Sequence, residues 1–206
     1  MTIIDFTTET YCLIDDEVKI LTKNKSLRHR GFSPELSDSE VITMEIVGEY
    51  LGHSKDTHIW KYFKHNMKHM FPKIGSRCNF IKQSANLWHI KQLIQQELVL
   101  KYLQYEKTYI VDGFPVPVCH YARASRCKNF KEGRPKWFLK YLRAKRKIVE
   151  TVISQLSRTF NIQSIRVRDM WHLTNRFTRK VLAHNICTLI NLKNGFNILD
   201  IESLVN

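Results

Sequence analysis

The sequence predicts a mainly α-helical fold. Most of its apolar residues recur at intervals of three and four, the spacing of one helix face. Several of these runs carry start and stop signals. Only one short run, Tyr109-Ile110-Val111, reads as a buried strand. At 206 residues, with 43% hydrophobic and 11% aromatic content, the chain is globular and long enough for one good core or two small ones.

In chain order, Leu13, Ile14, Val18 and Leu21 predict a short amphipathic helix within residues 1–25. A basic connector from Lys23 to Arg30 comes next. Ser37 with Glu40 three residues on is a capping box. It opens a helix whose apolar face is Val41, Ile42, Met44, Ile46, Val47 and Leu51, and Gly52 stops it. Residues 57–71 predict an aromatic-rich helix ended by Pro72, and residues 77–105 another helical pair. Residues 1–105 thus form a helical N-terminal region. Its cations Arg28, Arg30, Lys61, Lys64 and Lys68 suit either docking on DNA or a solvated surface.

The second half opens with strand 109–111. Asp112 ends it, and a carboxylate at a strand end is a rigid mount for a metal ion. Asp112-Gly113 reads equally as a two-residue hairpin turn. Pro115 and Pro117 confine the segment after Asp112 to an edge strand or extended loop. A long helix is predicted from Pro135 to Phe160, and an apolar one from Val181 to Leu192, broken at Asn194-Gly195. The remaining tail reads as a loose terminus.

The net charge of +14 suits a polyanion, and nucleic acid is the first expectation. Eleven Lys and Arg lie between Arg123 and Glu150, among them Arg123, Arg126, Lys128, Lys140, Arg143, Arg146 and Lys147. Only Glu132 and Glu150 oppose them. Phe130, Trp137, Phe138 and Tyr141 are interleaved. Cations with aromatics fit phosphate contact with base or sugar packing, but the expectation for these aromatics is that they are core, with the charge density as the binding signal. Arg166, Arg168, Arg176, Arg179 and Lys180 make a further basic patch.

Five scattered cysteines do not resemble a disulfide framework. His65 and His69, four apart, lack a third metal ligand of matching spacing, and Cys119, His120 and Cys127 lack a fourth. No basic-then-apolar leader opens the chain, and no apolar run approaches a membrane span. The expectation is a cytoplasmic, nucleoid-associated protein with no membrane partner.

Four stretches carry a likeness to a known family. They are Leu36-Ser-Asp-Ser-Glu-Val-Ile-Thr43, Met70-Phe-Pro-Lys-Ile-Gly-Ser-Arg-Cys-Asn-Phe80, Tyr109-Ile-Val-Asp-Gly-Phe-Pro-Val-Pro-Val-Cys-His120 with Arg126-Cys-Lys-Asn-Phe130, and Arg146-Lys-Ile-Val-Glu-Thr-Val-Ile-Ser-Gln-Leu156. In these the chain resembles the DDE-type insertion-sequence transposases of bacteria, closest to the insertion-sequence 982 family. The resemblance implies an RNase H-like α/β catalytic domain after the helical part, over residues 106–206. It implies three carboxylates holding two divalent ions, Mg²⁺ in the family, for cleavage and strand transfer at the double-stranded DNA ends of an element. It also implies multimers, hence a homo-oligomer. Asp112 matches the first family Asp and Glu150 the last Glu, so both are the expected catalytic and metal-binding positions.

The departure from the family is as informative. Asp112 and Glu150 are only 38 positions apart, with no Asp between them. The second family Asp and most sheet strands therefore have no counterpart. An internal deletion with its junction near residues 131–135 accounts for this. The expected product is a mostly helical remnant with few strands, inactive in strand transfer; the alternative is a DNA-binding module without catalysis.

Overall fold

The computed structural model describes residues 1–23, 33–103 and 136–205. Seven α-helices lie among these residues: α1 (Ile3–Thr22), α2 (Asp38–Tyr50), α3 (Asp56–Asn66), α4 (Arg77–Asn86), α5 (Trp88–Leu103), α6 (Lys136–Arg158) and α7 (Met170–Lys193). A 3₁₀ turn, Ile162–Ser164, links the last two. The chain is mainly α, and no strand occurs among the described residues. Strand 109–111 and the 105/106 boundary lie outside them.

Two helices begin with complete capping boxes. Thr2 Oγ1 accepts from the Asp5 amide at 3.1 Å, while the Thr2 amide donates to Asp5 Oδ2 at 3.1 Å. Ser37 Oγ accepts from the Glu40 amide at 3.1 Å, and the Ser37 amide donates to Glu40 Oε2 at 2.6 Å. Each box satisfies amides that a helix start leaves unpaired. α2 ends as the sequence indicates, with Gly52 at φ 79° just past its last turn.

α2 is the centre of the fold. Ten of its residues between Ser39 and Glu49 are buried, so it is covered all round and not on one face only. It packs against α1, α3, α4 and α7, and α5 closes the bundle against α1 and α7. The core joins both halves of the chain: Phe6, Ile42, Met44, Phe63 and Ile94 share it with Phe160, Leu182, Ile186 and Ile190.

Four sequence expectations need correction. α1 is not short but runs for 20 residues, because its buried face continues back through Phe6, Thr7 and Thr10. The aromatic helix stops at Asn66, and Met67 and Phe71 reach the core from the turn beyond it. α7 begins at Met170, not Val181; Asp169 caps it by accepting from the His172 amide at 2.8 Å. The tail is not loose. Ile201 and Leu204 are buried, the Met1 ammonium donates to the Leu204 carbonyl at 3.3 Å, and the Val205 amide donates to Tyr50 Oη at 3.1 Å.

α2 and α3 cross at Gly48. A Cβ added there would lie 2.7 Å from Ile59 Cγ1 and 2.9 Å from Ile59 Cγ2. Ile59 is fully buried, and a close-packed interior resists moving it aside. Gly48→Ala is expected to lower stability by about 1–3 kcal/mol in urea unfolding, despite the better helix propensity of Ala.

Candidate nucleic-acid interface

α6 spans 23 residues without Gly or Pro. Five cations lie between Lys140 and Lys147, and no carboxylate appears before Glu150. Lys140, Arg143 and Lys147 succeed one another at three and four residues, which puts them in a single row. All three are exposed. Over seven residues the row runs about 10 Å along the helix axis. Arg146 stands exposed on the adjoining row. The Lys145 ammonium lies 5.7 Å from the Tyr141 ring centroid.

The aromatics beside this row differ from the expectation that they are core. Trp137 is 71% exposed and Tyr141 42%. The further basic patch also needs correction. Arg166 and Arg168 are exposed, but Arg179 and Lys180 are buried and Arg176 is partly covered.

Asp112, Arg123, Arg126 and Lys128 lie outside the described residues, as do Cys119, His120 and Cys127. Glu150 is on α6, where Arg146 Nε donates to its Oε1 at 3.0 Å. The two side chains are 81% and 62% exposed, so the pair contributes about 0.3–0.5 kcal/mol. Glu150, Asp200 and Glu202 border one open cavity with Lys147, yet no three His, Cys, Asp or Glu side chains converge as a metal site among the described residues. With no Asp between positions 112 and 150, the sequence supplies two of the three carboxylates that the family frame uses for two divalent ions. His65 Nδ1 instead sits 2.8 Å from the Lys61 carbonyl.

Under the bundle surface lies an ionic core that sequence periodicity does not reveal. Glu45 and Glu49 of α2, Asp56 of α3, Lys91 of α5 and Arg179 and Lys180 of α7 meet there, all less than a tenth exposed. Arg179 Nε donates to Glu49 Oε1 at 2.7 Å and its Nη1 to Glu45 Oε1 at 3.1 Å; Asp56 Oδ1 also accepts from Nη1. The Lys91 ammonium donates to Glu45 Oε2 at 2.7 Å, and Lys180 to Glu49 Oε2 at 2.6 Å. Ser84 Oγ donates to Glu45 Oε1 at 2.6 Å. Three buried carboxylates thus face three buried cations. The one local signal is Glu45 and Glu49, four apart inside an otherwise apolar run.

Burial works against every charge here. It pushes the Lys91 and Lys180 ammonium groups below their usual range, and Glu45 and Glu49 offset this only in part. Burial also disfavours the Arg179 cation, but Glu49, Glu45 and Asp56 outweigh it and raise its pKa. For Asp56, burial alone would raise the pKa; the charge of Arg179 and its hydrogen bond, then Arg176, hold it below the usual carboxylate value. A carboxylate depressed in the folded state stabilises at neutral pH, and that stabilisation is lost as pH falls below about 4 through the folded pKa. Thermal melts from pH 7 to 3 are expected to show this acid loss in the native chain. Asp56→Asn should be less stable at pH 7 and show a shallower acid slope.

No family model, curated protein or solved structure matches this chain.

Proposed function

We propose that this chain is a DNA-binding remnant of a DDE-type transposase, one that has lost strand transfer. The supporting observation is the row of Lys140, Arg143 and Lys147, exposed along α6 in a chain of net charge +14. Such a row suits the closely spaced phosphates of a duplex, and the attraction comes largely from release of condensed counterions. The transposase origin rests on the four stretches that resemble the family, which include the region of Glu150.

The loss of catalysis rests on the missing second Asp. The RNase H-like origin of residues 106–206 belongs to the same reading. The binding claim is tested by gel shift of a 30-base-pair duplex at 50 and 200 mM salt. With three phosphate contacts, affinity should fall on the order of 50-fold between these conditions. Absence of a shift at 50 mM, or salt-independent binding, would overturn the reading.

A further inference from the structure

The aromatics of α6 ask for more than duplex phosphates. Trp137, Tyr141, Ala144 and Ile148 succeed one another at four, three and four residues, making a second row beside the cation row. Trp137, Tyr141 and Ile148 are 71%, 42% and 40% exposed, and Ala144 is exposed as well. Ala144 is the smallest member and leaves a gap in the row between Tyr141 and Ile148. Single exposed apolar residues are ordinary, but Trp137, Tyr141 and Ile148 share one row of the helix beside its cations.

A duplex cannot use such a row fully. Its bases are stacked inside, and it offers phosphates and groove edges to a binding protein. Unpaired bases have open faces that stack on Trp and Tyr, while adjacent Lys and Arg track the backbone. We propose that α6 preferentially takes single-stranded DNA. Lys140, Arg143 and Lys147 track the phosphates, and Trp137 and Tyr141 stack successive bases. The proposal rests on the DNA-binding reading and names the state of the DNA that this helix prefers.

The test is fluorescence anisotropy on the full chain with labelled 20-nucleotide oligothymidine, a 20-base-pair duplex and 20-nucleotide oligouridine. The native chain should bind oligothymidine at least several-fold more tightly than the duplex. Trp137→Ala should weaken oligothymidine binding about 10-fold and leave duplex binding within about twofold. Trp137→Phe should restore most of the loss, since a ring suffices for stacking. Trp137 is exposed, so a melting curve unchanged by either substitution confirms that folding is intact. Duplex bound more tightly than oligothymidine, or equal loss on both DNAs in Trp137→Ala, would overturn the inference and leave the DNA-binding reading standing. Oligouridine bound as tightly as oligothymidine would overturn the commitment to DNA. No binding of any oligonucleotide would overturn both readings.

Discussion

Arg179→Met should lower the stability of the chain by about 3–5 kcal/mol, a drop in melting temperature of roughly 6–20 °C for a chain of this size. The Met side chain keeps much of the apolar volume, so the loss does not come from an empty cavity. It comes from charge. Arg179 is fully buried and donates to Glu49, Glu45 and Asp56 at once. Without it, three carboxylates face only Lys91, Lys180 and the half-buried Arg176. Arg176 is only partly covered, so the fully buried set holds three carboxylates against two ammonium groups, and that one uncompensated charge is costly. Thermal melts followed by circular dichroism at pH 7 measure the loss. A loss below about 1 kcal/mol at pH 7 would mean that water reaches the cluster.

The largest effect on binding should come from Lys140→Ala, Arg143→Ala and Lys147→Ala combined. Removing three phosphate contacts should lower the slope of log affinity against log salt by about 2–3. At 100 mM salt, duplex affinity should fall on the order of 100-fold. All three side chains are exposed, so the melting temperature should move by no more than about 2 °C. Arg146 stays in place because it is paired with Glu150. Gel shifts at four salt concentrations read slope and affinity together. An unchanged slope would place the phosphate contacts elsewhere.

These two outcomes separate what is legible in the sequence from what is not. α2 is legible from end to end because its signals are local: Ser37 and Glu40 are three residues apart, and Gly52 supplies the positive φ that ends it. α6 is legible as a helix with one basic side for the same reason. The start of α7 is not. Arg176, Arg179 and Lys180 look like surface charge, yet two of them fill interior positions of that helix. Their partners Glu45 and Glu49 lie some 130 residues away, and no local pattern reports such a pairing. The docked tail is hidden because Ile201 and Leu204 are too few to set a period. On α6, periodicity separates two faces but does not say which aromatics a neighbour covers. Trp137 and Tyr141 therefore look like core in the sequence and are exposed in the fold. The candidate site is legible as a charge density, and the exposed rings beside it are not.

The central claim is a protein that holds DNA and does not cut it. Incubation of the native chain with supercoiled plasmid and Mg²⁺, beside Asp112→Ala and Glu150→Ala, tests it most directly. The account predicts that all three chains retard the plasmid on a gel at low salt and leave it supercoiled after deproteinisation. Mg²⁺-dependent nicking by the native chain, abolished by either substitution, would contradict it and assign Asp112 and Glu150 to a working catalytic site.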